Sequence, residues 1–574
     1  MLRTRRLRLV FFLFTVLPLF AVDRSAFIFT NYDLKTSVRP DQRALDVEGT
    51  IEVRNDSAAP QSAIPLQISS SLTWLRVSIG DEQPSWISQT YTSDIDHTGA
   101  LSEAIITLDK PLAPKASLKI SIHYAGTVTR DSTRLTRIGT PQDIAERSDW
   151  DQISRNFTAV RGLGFVTWYP VSIDAVSLSN GDEVFDAIAA WKQREFEAQS
   201  KVSYSNAEDL QEKSTRIAMN GFNLSGTPTF VVAPLTQIER PHLAIYATAE
   251  HTSIARDYVV SAEKAQTDVA QWFGEPRQKA AIVELTDDSA LPFEVGSYLF
   301  TPLREVPPLA LEVALARTMM HASFDSPRPW VREGLAGFAQ ALVRERQQGH
   351  KAGLAYLNQF VNALAVAESQ TQSTALAGES SSKTQLPSIG PQPLLSTSDE
   401  LFYRTKAAFV WSMLRDMLGD DAIKTFISRY RAADDKEGSY VQHLLENAGT
   451  SHKDLEAFFD DWVYRDRGLP EFRISAAFPR ELIPQSGNTK PSYVVAVTVE
   501  NNGDAWSEVP IVVRAGKDER AVRVAVPARS KAVARVPFPA VPEEVIVNDG
   551  SVPEADVSDN RFVLPTPTGQ QPRK

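Results

Sequence analysis

The first pattern in the chain is alternation. In "ALDVEGTIEV", Leu45, Val47, Ile51 and Val53 fall on one side and Asp46, Glu48, Thr50 and Glu52 on the other. "LKISIHY" repeats it with Leu118, Ile120, Ile122 and Tyr124. A period of two means strands with one face buried and one face in water. It predicts antiparallel sheet from residue 23 to about 235, interrupted by "VFDAIAAWKQREFEAQSKV", which mixes both periods. From about 250 the apolar spacing turns helical. "SIARDYVVSAEKAQTDVAQWFG" stops at Gly274, and "PWVREGLAGFAQALVRERQQG" runs from Pro329 to Gly349, residues suited to helix starts and C-caps. "PPLALEVALARTMMHASF" forms the helix before it. Residues 367–398 are rich in Ser, Thr, Gln and Pro and read as an insertion. Helices resume through "ELFYRTKAAFVWSMLRDMLG" and "DLEAFFDDWVYRDRG". From about 472 alternation returns with Tyr493, Val495, Val497 and Val499, before Asn502-Gly503, a hairpin signal.

The expected fold class is therefore α+β and multidomain. An N-terminal antiparallel β domain occupies 23–235 and a mixed, then helical domain 236–471. A C-terminal β-sandwich follows over 472–565, with a disordered tail at 566–574. A length of 574 residues exceeds one hydrophobic core and agrees with this division. Before it, Arg3, Arg5, Arg6 and Arg8 precede the apolar run "LVFFLFTVLPLFAV". That run is too short for the roughly 20 residues of a spanning helix. Residues 1–22 are expected to be a signal peptide or a retained N-terminal anchor, and the protein to be exported, to a bacterial periplasm or outside the cell. Any membrane contact would come through that segment if it stays uncleaved. The chain has no cysteine, so it has neither disulfides nor lipidated thiols. A net charge of -11 argues against a nucleic-acid partner, which would require a basic face.

Chemistry concentrates in "ARTMMHASFDSPRPWVREGLAGF". Arg317 and His321 lie one turn apart on one helix, with Thr318 beside Arg317. Glu333 lies on the next helix, with eleven residues between it and His321. The other histidines show no ligand spacing to one another. "GESSS" sits in the insertion rather than on a strand–turn–helix, so it is not a nucleophile elbow.

The domain order and several motifs resemble the M1 family of zinc aminopeptidases, gluzincins with a thermolysin-like catalytic domain. "PLAPKASLKISIHYAGTV" is similar to the family's N-terminal domain. "GFVTWYPV" is similar to its Trp-centred stretch, "WVREGLAGF" to the helix with the third zinc ligand, and "DLEAFFDDWVYRDRGLPEF" to a later helix. The resemblance covers most of the chain after residue 22. It implies peptide hydrolysis by zinc-activated water. That chemistry needs two His one turn apart, a Glu beside the first as base, and a third carboxylate ligand. His321 matches the second His and Glu333 the third ligand. Arg317 stands where the first His belongs, and a guanidinium has no lone pair to give a metal. Thr318 replaces the base, and its hydroxyl cannot deprotonate water near neutral pH. The loop between His321 and Glu333 is shorter than the family's. Glu294, in "LPFEVGSYLFTP", is the candidate for the family's Glu that binds the substrate amino terminus; a strand-edge Glu in solvent is the alternative. Tyr403 lies near the family's transition-state-stabilising Tyr but one residue out of register, with Arg404 in the expected place; a packed aromatic is the alternative.

The resulting expectation is an exported M1-like pseudopeptidase that has lost zinc, needs no cofactor and binds a peptide or protein ligand. Arg317 is expected to pair with Glu333, unless it merely projects into solvent. Two alternatives stay open. One is an active zinc peptidase whose rearranged site uses His321, Glu333 and a further ligand. The other is an architectural envelope protein.

Overall fold

The structure is a computed structural model. It describes residues 22–148, 151–154, 157–181, 183–196, 198–205, 217–218, 228–288, 290–368, 393–397, 399–450, 452–465, 467–482 and 492–565. Residues 1–21 of the expected signal or anchor, most of the 367–398 insertion and the 566–574 tail lie outside them. No helix among the described residues is long and apolar enough to cross a membrane.

The alternating N-terminal segments form the predicted sheets. Ala44–Asn55 is central in a five-stranded sheet. Phe27–Arg39 and Ser117–Thr127 pair with it antiparallel, Leu72–Ser78 pairs with Ser117–Thr127, and Gln199–Ser205 adds to Phe27–Arg39 in parallel. Leu45, Val47, Ile51 and Val53 are all buried, as their spacing requires. A three-stranded sheet of Gln61–Ser69, Ala100–Leu112 and Trp86–Thr92 completes this core. The mixed-period segment resolves into the helix Glu183–Arg194 and the strand Gln199–Ser205. Trp191 of this helix packs 5.5 Å from Phe29, which fixes it against the sheet.

The middle region opens with a five-stranded sheet. Leu243–Ala247, Ala280–Glu284 and Tyr298–Thr301 run parallel, while Thr236–Glu239 and Phe293–Val295 add antiparallel edges. A buried cluster joins this sheet to the N-terminal part: Phe157, Val231 and Leu235 pack with Tyr246, Val283, Val295 and Phe300. It seats the short strand Phe293–Val295, whose Phe293 ring also stacks 4.6 Å from Phe300.

Helices Thr252–Phe273, Pro308–Ser323, Pro329–Gln348 and Ala407–Leu418 pack around one core. Gly334 and Gly337 explain the close approach of the last two. A Cβ on Gly334 would lie 2.7 Å from Ala407 Cβ and 2.9 Å from Trp411 Cδ1; one on Gly337 would lie 2.9 Å from Ala408 Cβ. The contact also stacks Trp330 on Trp411.

The C-terminal region is a two-sheet sandwich. Phe472–Leu482, Ser492–Asn501 and Ser530–Phe538 form one sheet; Asp518–Val526, Ser507–Ala515, Glu544–Val547 and Arg561–Val563 form the other. Here the hairpin expectation fails. Ser492–Asn501 does not pair with Ser507–Ala515, and the chain crosses between sheets at Asn502-Gly503. Gly503 is required for a close approach: a Cβ there would lie 2.3 Å from the Leu469 carbonyl oxygen. Asn501 fastens the crossing by accepting from the amides of Glu471 and Gly503. The sandwich and the helices share one continuous buried cluster, running from Trp330 and Phe459 to Val497 and Val545.

Candidate functional site

Arg317 and His321 share a face of the helix Pro308–Ser323 because they are four residues apart. Arg317 is not in solvent: its side chain is 13% exposed. Its Nε donates to Glu294 Oε2 at 2.5 Å, and its Nη2 contacts Glu333 Oε2. The pairing with Glu333 expected from sequence is present, and Glu294 joins it. Glu294 is therefore not a free edge carboxylate. Its second oxygen accepts from Thr318 Oγ1 at 2.8 Å, so both oxygens are engaged within the cluster.

Glu333 is the focus of three guanidiniums. Besides Arg317, it accepts from Arg332 Nε at 2.9 Å and lies 3.7 Å from Arg404 Nε. Arg404 belongs to a π-helical turn, Leu401–Lys406. Such a turn holds one residue more than an α-turn and rotates the register by that residue. It brings Arg404 to Glu333, while Tyr403 sits half-buried beside it. Burial raises the Tyr403 phenol, against the nearby positive charges of Arg332 and Arg317.

His321 lies behind these pairs. Its Nδ1 is 3.7 Å from Glu294 Oε2 and its Nε2 3.6 Å from Glu333 Oε1, both outside hydrogen-bond range. Neither ring nitrogen has a hydrogen-bond partner, although the residue is buried. Burial lowers the imidazole to about 3; Arg317, Arg332 and Arg404 push the same way against Glu294. His321 is thus neutral at physiological pH. Glu294 is held below the ordinary carboxylate range: burial opposes ionisation, but Arg317 and the hydrogen bonds from Arg317 and Thr318 prevail.

The sequence-derived residues Glu294, Arg317, Thr318, His321 and Glu333 thus converge on one place, with Tyr403 at its edge. As arranged, they do not fit a zinc ion. A guanidinium with no lone pair bonds to both carboxylates that could serve as ligands, leaving one imidazole. Among the described residues no group of three or more His, Asp or Glu side chains is disposed to hold a metal. No general base stands at Thr318, whose hydroxyl is committed to Glu294.

Two contributors were not singled out from sequence. Arg332 adjoins Glu333 but reads as an ordinary helix-surface arginine. Lys192 comes from Glu183–Arg194 in the N-terminal part and lies close enough to feel Arg332 and Arg404. No linear spacing links Lys192 to the site.

No protein-family profile and no curated protein matches the chain. Among solved structures it is similar to the M1 zinc metallopeptidase of Deinococcus radiodurans, with 16% identity over 73% of this chain and 87% of that chain and a TM-score of 0.44. A mutant of that protein bound to a Tyr-Ser-Ala substrate aligns over the same shares with 17% identity and a TM-score of 0.45.

Proposed function

We propose that this chain is an exported M1-like pseudopeptidase, without zinc, whose cleft binds peptides or protein segments. One observation carries the reading: the Arg317 guanidinium lies between Glu294 and Glu333, with His321 left neutral and unbonded beside them. A cation is still needed to neutralise two buried carboxylates, and here a side chain supplies it. Unlike a metal, it cannot activate water.

The unpartnered His321 nitrogens favour one competing reading. If zinc displaced Arg317, then His321, Glu333 and Glu294 would be the donors, giving a rearranged metallopeptidase. Incubation with equimolar zinc, desalting and elemental analysis separates the two, alongside a peptide-cleavage assay using Tyr-Ser-Ala. Less than a tenth of an equivalent of metal and no chelator-sensitive release of tyrosine are expected. Stoichiometric zinc with such release would overturn the pseudopeptidase reading. Failure to retain any peptide would leave the architectural role.

A further inference from the structure

The three-stranded sheet of the C-terminal sandwich has two different faces. Alternation sends Val495, Val497 and Val536 inward, where they are fully buried. It sends Arg473, Arg480, Lys531 and Arg535 outward, and Glu500 is the one acid in these outward rows among the described residues. Glu481 alternates to the other side, in the row of the buried Phe538. Four cations therefore accompany one carboxylate, on a chain whose net charge is -11. Glu500 is only 7% exposed and is held between Arg473 and Lys531. Arg480 and Arg535 are exposed and have no hydrogen bond or ion pair among the described residues.

Apolar side chains stand among these cations. Phe478 is 68% exposed and Val533 is 55% exposed. The register joins them in one patch. Phe478, Ala496 and Arg535 form one outward row. Ala476, Thr498 and Val533 form the row on one side of it, and Arg480, Val494 and Pro537 the row on the other. Arg480 thus stands two residues along the strand from Phe478, and Arg535 lies across Ala496 from the same ring. Single exposed apolar groups are ordinary, but a joined patch marks a contact surface.

We propose that this face is a footing for an anionic lipid surface. Arg480 and Arg535 meet the lipid phosphates, and Phe478 and Val533 enter the boundary beneath them. This is independent of the peptide-binding reading and separate from any membrane contact through residues 1–22. Charge complementarity selects the occupant. A second copy of the chain brings the same net -11 but, approaching with this face, the same cations. A bilayer answers both features at once, because its headgroups pair with guanidiniums and its acyl boundary takes apolar tips. It also needs no matching contour, which suits a regular sheet surface. Each arginine near an anionic surface adds about fivefold in affinity, so the two unpaired ones supply roughly 25-fold together.

The chain has no cysteine, so a single introduced thiol reports on this face alone. Val533→Cys in the full chain is labelled with an environment-sensitive fluorophore. Ile87→Cys, on an exposed strand position of the N-terminal part, is the reference. Vesicles contain phosphatidylcholine alone or with about one third phosphatidylglycerol. With the anionic vesicles, the Val533→Cys label should shift to the blue and become protected from iodide, while the Ile87→Cys label stays unchanged. Neutral vesicles should shift neither. Arg480→Ala combined with Arg535→Ala should raise the lipid concentration giving half the shift about 25-fold, whereas lysine at both positions should keep most of the affinity. Residues 1–22 are the same in every variant and cannot produce that difference. No shift on anionic vesicles, an equal shift on neutral ones, a shift at both labels, or one indifferent to the arginines would overturn the proposal. So would a lipid-free shift that grows with protein concentration, which would assign the face to a second copy. A shift reproduced by soluble polyglutamate would overturn it in favour of an acidic protein.

Discussion

Replacing Arg317 by Met keeps the side chain's length and removes its charge. The cost follows from what each carboxylate retains. Glu333 keeps Arg332 at 2.9 Å and Arg404 at 3.7 Å, so it is not left alone. Glu294 keeps only the Thr318 hydroxyl at 2.8 Å, plus a neutral imidazole beyond bonding range. At 14% exposure Glu294 receives little help from solvent. Breaking a buried ion pair on one side costs about 3–5 kcal/mol, and the lower end applies because only one carboxylate is stranded. For a unit of this size roughly 2 °C accompanies each kcal/mol, so calorimetry at pH 7 should show a fall of about 6 °C. Glu294→Gln in the Arg317→Met background should recover at least half of it, because the stranded charge is then gone. The pH dependence has a fixed sign. Glu294 lies below its ordinary value of 4.5 in the folded protein, so its stabilisation is present above that value and lost as pH falls through the folded one. Without Arg317, burial would raise the same carboxyl, so the gap between the proteins should narrow as pH drops from 7 towards 5. A loss below about 1 kcal/mol at pH 7, or a gap constant over that range, refutes the coupling of Arg317 to Glu294.

Gly334→Ala should destabilise the helical region by about 1–3 kcal/mol in urea unfolding, because its Cβ has no room against Ala407 and Trp411. His97 is buried with Asp96 at 3.1 Å, and although burial lowers it, Asp96 raises it above its ordinary 6.5. Its stabilisation is complete below 6.5 and disappears as pH rises through the folded value. His97→Ala should therefore flatten the stability profile of the N-terminal part on the alkaline side of 6.5; an unchanged profile would remove His97 from the account. Dialysis against a chelator should leave the melting temperature within about 1 °C of the untreated protein, since loss of a tightly held metal would lower it by several degrees.

What the sequence reveals depends on how local the determining forces are. Strand alternation and helix ends are set within a few residues, which is why Leu45 to Val53 and the stops at Gly274 and Gly349 can be read directly. Arg317, Thr318 and His321 are legible for the same reason, since they share one helix and its spacing fixes their mutual directions; Glu333, on the next helix, is legible only through the motif "WVREGLAGF". Arg404 is legible only through the resemblance, which sets it where the family has its Tyr, and not through periodicity. Its place in the site depends on a π turn, and an i→i+5 hydrogen bond leaves no mark on apolar periodicity. Asn502-Gly503 fails differently. The same dipeptide serves a tight hairpin or a close backbone crossing, and only the partner strands decide between them.

The buried cluster shared by the helices and the C-terminal sandwich has a consequence for how this chain can be divided. The change from helix to strand near residue 472 is a border of secondary structure but not of cooperativity. Trp462 donates to the Trp506 carbonyl across it, and Phe458 meets the Trp506 ring edge-on. Cutting there would lay bare matched halves of a single interior, each with an apolar face and no cover. The sandwich is thus an obligate lid on the helical layer, and the floor beneath Glu333 is only as firm as strands more than a hundred residues away.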